Sequence, residues 1–157
     1  MKISVVVVGK TVKGFVLQGV EEYLKRLKRY LKVDLVVIPD VKSGKSLPVD
    51  QLMRKEAEQI LLAIGNCKDV FLLDEKGVEY TSEELATFIE GKMVAGAKEV
   101  VFIIGGAYGV TPEIKSRASG VIALSKLTFS HQMVRVVLLE QIYRSMTIIR
   151  GEPYHHA

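Results

Sequence analysis

The fold is decided by residues 122–150, which read IALSKLTFSHQMVRVVLLEQIYRSMTIIR. A short apolar run at Val121–Leu124 is followed by a polar loop at Ser125–His131 and then by a long segment with the composition of a helix. Apolar side chains point around most of that helix, and four polar residues interrupt them strongly: Arg135, Glu140, Gln141 and Arg144. A helix that is apolar nearly all round has to be covered on several sides. We therefore expect it to be both a core element and a dimer face, with the preceding loop in a functional site.

Length and composition limit the class of protein. With 157 residues and 48% apolar content, the chain is expected to form one globular domain over residues 1–157. Apolar stretches are too short for a transmembrane helix, and the N-terminus shows no signal-peptide pattern. The single cysteine, Cys67, permits no internal disulfide and fits a reducing cytoplasm. No spacing of His, Cys or carboxylates indicates a metal site. The net charge of +4 mildly favours an anionic partner.

Strand-like and helix-like segments alternate along the chain. Apolar runs predict strands at Ile3–Val8, Val33–Ile38, Val70–Leu73 and Glu99–Ile104. Helical spacing follows at Gly14–Leu31, from Pro48 to Gly65, and after a capping box at Thr81 and Glu84. This alternation predicts an α/β domain with a mostly parallel sheet flanked by helices.

Shorter signals fill the gaps between these elements. A basic loop is predicted at Val41–Leu47, and a turn at Asp74–Gly77 after the third strand. Thr111, Pro112 and Glu113 supply a cap, an N1 proline and an N-terminal acid for a short helix.

Three predicted strand ends carry unusual residues: Leu73-Asp74, Gly105–Gly109 and Ser125–Thr128. Ligands of open α/β sheets bind at the carboxyl ends of strands. The glycines of the second segment let a ligand approach the backbone closely, although the same residues would also make a sharp strand-to-helix turn, and the two interpretations have equal weight. The spacing is not the dinucleotide fingerprint, and a Walker-type lysine is absent, which disfavours an NAD enzyme or a P-loop NTPase.

The C-terminal tail contains a Pro-Tyr-His cluster that a terminus seldom carries. Tyr154 and His155 could form hydrogen bonds or handle protons over a ligand site. The commoner alternative is a tail that packs its tyrosine on a surface beside solvated histidines. His131, before the long helix, is interpreted as a structural residue, with contact to the substrate as the less favoured alternative.

Four segments in this order resemble the RlmH-type SPOUT methyltransferases: Val5–Lys10, Phe102–Gly109, Leu124–Arg135 and Arg150–His155. The similarity runs essentially end to end. It implies a SPOUT-type α/β domain whose C-terminal segment threads into a trefoil knot. It also implies a homodimer whose active site combines the knot of one subunit with elements of the other, in agreement with the all-round apolar helix.

The resemblance further implies S-adenosylmethionine (SAM) as the cofactor. Carried over by motif, its contacts are Leu73, Gly105, Gly106, Leu124, Ser125, Lys126, Leu127, Thr128 and Phe129. The implied acceptor is N3 of a pseudouridine in 23S ribosomal RNA, on the assembled 70S ribosome. His155 is the first candidate to accept the N3 proton and Tyr154 to position the base. Arg135, Arg144 and Arg150 are candidates for phosphate contact or for polarising the base.

Two positions depart from the family pattern. Ser130 stands where relatives usually have proline, and serine can cap the following helix. His156 stands where relatives often have lysine or arginine. A basic stretch, Lys25, Arg26, Lys28 and Arg29, is better explained as a solvated helix face than as an RNA footprint. The main alternative function is a catalytically silent RNA- or ribosome-binding protein of the same fold, and a weaker one is a nucleotide-dependent oxidoreductase.

Overall fold

The computed structural model describes residues 1–41 and 47–156. Its strands are β1 (Lys2–Val8), β2 (Lys32–Ile38), β3 (Asp69–Glu79), β4 (Glu99–Ile104) and β5 (Gly120–Ala123). Its helices are α1 (Phe15–Leu27), α2 (Val49–Ile64), α3 (Ser82–Val94), α4 (Pro112–Arg117) and α5 (Met133–Ile149). The strands form one sheet in the order β2-β1-β4-β3-β5, and each pairing between these five strands is parallel. The predicted α/β class with a parallel sheet is confirmed.

Helices cover the sheet on both faces. Along β1, Ile3, Val5 and Val7 belong to the cluster that contains α1, α3 and α5. Val6 and Val8 belong to the opposite cluster, which contains α2 and α4. A strand buried on both faces needs a continuous apolar sequence, which explains the unbroken run of β-branched residues in β1.

The two predicted helix starts have different outcomes. At α3 the capping box is confirmed, because Thr81 Oγ1 accepts from the Glu84 N–H at 3.1 Å and Glu84 Oε2 accepts from the Thr81 N–H at 2.7 Å. At α4, Pro112 and Glu113 occupy the first turn as predicted. The Thr111 hydroxyl makes no capping hydrogen bond, and its oxygen is buried without a partner among the described residues. Thr111 therefore occupies the N-cap position as predicted, but its side chain does not cap the helix.

The third strand differs most from its prediction. The turn expected at Asp74–Gly77 lies inside β3, whose pairing with β5 resumes after it. Leu73 and Val78 both pair with Ile122, so the four residues between them form a bulge. A Cβ on Gly77 would lie 2.7 Å from the Ile122 backbone, which is too close for any side chain. The local turn signal was correct, but the return to the sheet depends on β5, which is remote in sequence.

After β5 the chain crosses the carboxyl edge of the sheet towards β1. Gln132 Oε1 accepts from the Val12 N–H and Gln132 Nε2 donates to the Lys10 carbonyl, both at 3.0 Å. α5 then packs against α1, where a Cβ on Gly19 would lie 3.0 Å from Val136 Cγ1. This crossing is the segment that the resemblance expects to be threaded, and the knot itself stays a prediction.

α5 is covered on one side by the protein's own core. Leu138, Leu139, Ile142 and Met146 are buried. A second stripe along the helix stays partly exposed and contains Met133, Val137, Glu140, Arg144 and Ile148. The predicted basic loop at Val41–Leu47 has its residues 42–46 outside the described residues. Within residues 1–41 and 47–156, none of the helices has the length and apolar character needed to cross a membrane.

Candidate functional site

A cavity of about 550 Å³ lies at the carboxyl ends of β3, β4 and β5. Eight of the nine residues predicted to contact the cofactor line it: Leu73, Gly105, Gly106, Leu124, Ser125, Leu127, Thr128 and Phe129. The ninth, Lys126, is not among the lining residues, and its ammonium lies 3.7 Å from the Glu79 carboxylate in solvent. The parallel sheet thus brings three separate strand ends into one cavity, at the edge where such sheets bind ligands.

The loop after β4 is a tight turn and also a wall of this cavity. The Gly109 N–H donates to the Gly106 carbonyl at 3.0 Å, and Gly109 has φ +81°, which favours glycine. A Cβ on Gly105 would lie 2.9 Å from Val110 Cγ1. The two interpretations of this glycine-rich segment therefore describe the same structure, because the turn leaves bare backbone facing the cavity.

Short hydrogen-bonded links hold the loop between β5 and α5. Ser125 Oγ accepts from the Leu127 N–H at 2.9 Å, and the Thr128 hydroxyl donates to Glu75. Ser130 Oγ accepts from the Met133 N–H at 3.1 Å, so its side chain meets the start of α5, although the N-cap residue of the helix is Gln132. Leu127 is held 73% exposed at the cavity. An apolar side chain fixed in that position suits a ligand with an apolar face.

Arg135 is fully buried at 0% exposure. Its guanidinium donates to the carbonyls of Val8 at 2.7 Å and Gly9 at 3.0 Å, and to Thr11 Oγ1 at 3.1 Å. Burial lowers the pKa of this guanidinium, and the nearby Asp40 charge opposes that effect. This burial contradicts the predicted contact of Arg135 with RNA. We assign it a positioning role, in which it fixes α5 to the end of β1.

The C-terminal tail folds back onto α5 and α3. The Tyr154 hydroxyl donates to Glu140 Oε1 at 3.2 Å, and Glu140 is also paired with Arg144 at 2.5 Å. His155 Nδ1 lies 3.3 Å from Arg144 Nη1, and its Nε2 lies 2.8 Å from Glu83 Oε1. Burial raises the pKa of Tyr154, and the hydrogen bond from His155 lowers the pKa of Glu83. The predicted pair Tyr154–His155 is thus part of an ordered polar cluster.

This cluster fixes the tautomer of His155. Arginine can only donate, so Nδ1 accepts from Arg144 and the hydrogen on Nε2 is donated to Glu83. The imidazole can accept a further proton only at Nδ1, after Arg144 has moved away. Sequence reasoning missed both carboxylates. Glu140 had a local signal in its i,i+4 spacing to Arg144, whereas Glu83 comes from another helix and gave no signal.

The cavity and the tail cluster lie at opposite ends of α5. Arg135 is in the first turn of this 17-residue helix, and Tyr154 and His155 follow its last turn. A helix of that length spans roughly 25 Å. Neither Tyr154 nor His155 is among the residues that line the cavity.

Comparison with known proteins agrees with this geometry. A family model described as "Predicted SPOUT methyltransferase" matches residues 1–155. The chain belongs to the SPOUT methyltransferase family. The resemblance seen in the sequence is confirmed, and so is the prediction that the protein is a methyltransferase. The prediction of SAM as the cofactor is confirmed as well, because SPOUT methyltransferases use SAM.

SPOUT relatives and solved structures match nearly the whole chain. Proteins named ribosomal RNA large subunit methyltransferase H are 47% identical in Parabacteroides distasonis and 45% identical in Bacteroides thetaiotaomicron, and each alignment covers 99% of both chains. The fold is similar to a probable methyltransferase from Bordetella pertussis, with TM-score 0.58 and 11% identity over 92% of this chain and 95% of that one. It is also similar to the tRNA (m1G37) methyltransferase from Aquifex aeolicus, with TM-score 0.56 and 16% identity over 100% and 75%.

Proposed function

We propose that this protein transfers a methyl group from SAM to N3 of a pseudouridine in 23S ribosomal RNA, in the cytoplasm and on the assembled ribosome. The observation that carries the proposal is the cavity at the carboxyl edge, which gathers eight of the nine residues expected from the family motif. Relatives named ribosomal RNA large subunit methyltransferase H align over 99% of this chain at 44–47% identity, which supports the choice of a ribosomal RNA acceptor.

The cavity fits SAM in size and chemistry. Its volume of about 550 Å³ is in the range of small-molecule sites. Leu73, Leu124 and Leu127 give apolar surface for the adenine and thioether, and the backbone of Gly105 and Gly106 is bare for hydrogen bonding. The bound cofactor supplies an electrophilic methyl group. The task of the chain is to align the acceptor with that group, because displacement at the methyl carbon needs no covalent enzyme intermediate.

The N3 proton of the acceptor has to leave, and the tail cluster supplies the group to accept it. In this proposal His155 takes the proton at Nδ1 after its contact with Arg144 is released. Glu83, hydrogen-bonded to Nε2 at 2.8 Å, then stabilises the imidazolium. The Tyr154 hydroxyl, partly buried and raised in pKa, stays protonated, and after release from Glu140 it donates its hydrogen bond to the base.

A homodimer joins the two halves of the site. A two-fold axis near the middle of α5 would pair two copies of this helix antiparallel. The start of α5 in one subunit then meets the tail of its partner, so the partner's Tyr154 and His155 reach the cofactor cavity. The partly exposed stripe that contains Val137 and Ile148 is the contact surface on the helix. Beside its start, Phe15 is 72% exposed and Val12 50% exposed, which adds apolar area.

Recognition of the ribosome relies on shape more than on a large basic surface. In the basic stretch on α1, Arg26 is paired with Glu22, and Arg29, just after the helix, is paired with Glu152. Two of the four basic residues are thus paired within the chain, and all four are exposed, as the solvated-face interpretation expects. A small domain with net charge +4 recognises a large RNA particle mainly through its folded surface.

Calorimetric titration with S-adenosylhomocysteine, with NAD as a control ligand, tests the cofactor site. We expect binding of the first ligand alone. Gly106→Leu should abolish this binding, since the added side chain enters the cavity wall beside Glu56. Gly91→Leu is the matched control, because nothing lies within 4 Å of the position of its Cβ. NAD binding, or full affinity in Gly106→Leu, would contradict the assignment.

Mixing two inactive variants tests the shared site. His155→Ala removes the proton acceptor, and Gly106→Leu blocks the cavity. In a mixed dimer, the cavity of the first variant meets the intact tail of the second. An equimolar mixture should recover about a quarter of wild-type methyl transfer, because half the dimers are mixed and each has one complete site. No recovery in a mixture shown to exchange subunits would place each site within one chain.

A further inference from the structure

A second cavity of about 260 Å³ adjoins the first, at the carboxyl ends of β1 and β2. The two cavities share the residues of one wall: Gly106, Ala107, Tyr108 and His131. The second cavity is bordered on its other side by two carboxylates, Asp40 at the end of β2 and Glu56 on α2. Nothing in the family motif accounts for these two acids.

Glu56 is the unusual member of the pair. It is only 9% exposed and forms no hydrogen bond or ion pair with any other residue in 1–41 and 47–156. Burial raises the pKa of Glu56, and the charge on Asp40 raises it further. A mostly buried carboxylate with no cationic partner among the described residues is costly, and the cost falls when a cationic donor reaches it. Arg135, the second buried charged side chain among the described residues, already has main-chain acceptors as its partners.

Glycine at position 106 gives this carboxylate access to the cofactor cavity. A Cβ on Gly106 would lie 3.0 Å from Glu56 Oε2. The oxygen therefore lies against the part of the shared wall that has no side chain. A ligand in the first cavity that extends past Gly106 would meet Glu56 directly.

SAM carries two positive groups that could meet this acid, the sulfonium and the α-ammonium of its methionine end. A carboxylate at the sulfonium would stabilise the ground state more than the transition state, because the positive charge on sulfur disappears as the methyl group leaves. It would also present an oxygen nucleophile to that methyl group. The α-ammonium keeps its charge throughout the reaction, so an acid that binds it adds affinity without raising the barrier.

We propose that Glu56, with the negative charge of Asp40 beside it, binds the α-ammonium group of the cofactor across the shared wall at Gly106. This inference rests on the proposed function for the identity of the cofactor, and it assigns to α2 a part in the site that lies outside the knot segment. The second cavity then receives the methionine end of the ligand, while adenosine occupies the first.

Calorimetry with two ligands tests this assignment: S-adenosylhomocysteine and its analogue that lacks only the amino group. Glu56→Gln removes the charge and keeps the shape of the side chain. We expect it to weaken binding of S-adenosylhomocysteine roughly 10- to 100-fold, the range for a hydrogen bond to a charged group. Binding of the desamino analogue should change by no more than about twofold.

Glu58→Gln is the matched control, because Glu58 lies on the same helix and is exposed. It should leave both affinities unchanged, and thermal unfolding should show that both variants are folded. Equal weakening of the two ligands in Glu56→Gln would mean that Glu56 only shapes the cavity. Unchanged affinities with loss of methyl transfer would place Glu56 at the acceptor base instead. Failure of the wild type to bind S-adenosylhomocysteine would overturn the proposed function itself, and this inference with it.

Discussion

The guanidinium of Arg135, at the start of α5, donates a 2.7 Å hydrogen bond to the carbonyl of Val8, the last residue of β1. A second bond of 3.0 Å reaches the carbonyl of Gly9. These contacts join two segments that are 127 residues apart and hold the crossing chain on the central strand. The buried guanidinium therefore helps to fix the position of the loop at residues 124–131, which forms one side of the cofactor cavity.

Replacing this guanidinium should destabilise the fold. Arg135→Leu leaves the carbonyls of Val8 and Gly9 buried without donors, and we expect the free energy of unfolding to fall by roughly 2–4 kcal/mol. Arg54→Leu, at an exposed position on α2, should change it by less than about 0.5 kcal/mol. Denaturant titration followed by circular dichroism measures both. Equal stability of the two variants would show that the buried hydrogen bonds contribute little.

The bulge in β3 gives a second prediction. Gly77→Ala places a Cβ 2.7 Å from the Ile122 backbone, so β5 has to shift at the point where it leads into the cofactor loop. We expect a loss of about 1–3 kcal/mol in stability, typical of overpacking, together with weaker binding of S-adenosylhomocysteine. Gly91→Ala, in an open position of α3, should instead gain about 0.5–1 kcal/mol. If Gly77→Ala behaved like Gly91→Ala, the close approach to β5 would be refuted.

The partly exposed stripe of α5 is the contact surface of the proposed homodimer, which can be tested by mutation. Val137→Glu puts a charge into the proposed helix–helix contact and should convert the dimer into monomers in sedimentation velocity runs. The monomer should retain affinity for S-adenosylhomocysteine but lose methyl transfer, because in the proposed dimer the tail of the partner completes the site. Leu62→Glu, at a 74% exposed apolar residue on α2, should leave the dimer intact. Retention of a dimer by Val137→Glu would move the interface elsewhere.

The hydrogen bond between Tyr30 and Glu152 anchors the C-terminal tail, and it predicts that the stability of the protein depends on pH. The Tyr30 hydroxyl donates to Glu152 Oε2 at 2.5 Å, which lowers the pKa of Glu152, and burial with this bond raises the pKa of Tyr30 to about 12. The Glu152 carboxylate contributes to the free energy of unfolding above its unfolded pKa of about 4.3, and this contribution is lost as pH falls through its lower pKa in the folded state. The Tyr30 phenol contributes to the free energy of unfolding below its unfolded pKa of about 10, and this contribution is lost as pH rises towards its folded pKa of about 12.

Tyr30→Phe isolates this anchor, since it removes the hydroxyl and keeps the ring. In carbon-detected NMR titrations, the variant should show a Glu152 pKa closer to the ordinary value than the wild type does. Amide exchange in residues 152–156 should become faster at neutral pH. An unchanged Glu152 titration would show that the pairing with Arg29 at 2.9 Å holds the tail without Tyr30.

Local sequence signals predicted most elements because those elements depend on neighbouring residues. The boundaries of β4 and the capping box at Thr81 and Glu84 are confirmed to the residue. The extension of β3 to Glu79 was missed because its pairing partner is β5. The cofactor wall was predictable from motif resemblance, whereas the partnership of His155 with Glu83 depends on tertiary packing of two helices. Burial of Arg135 was missed for the same reason, since its acceptors lie at the other end of the chain.

The most direct test of the account is methyl transfer to ribosomes. Purified protein and SAM with a radiolabelled methyl group are incubated with 70S ribosomes that lack the modification, and the RNA is digested to nucleosides. The account predicts label in N3-methylated pseudouridine from 23S RNA, and a large loss of label with the Gly106→Leu variant. Absence of label from 23S RNA with a protein that binds both S-adenosylhomocysteine and ribosomes would contradict the proposed activity and favour a catalytically silent ribosome-binding protein of the same fold.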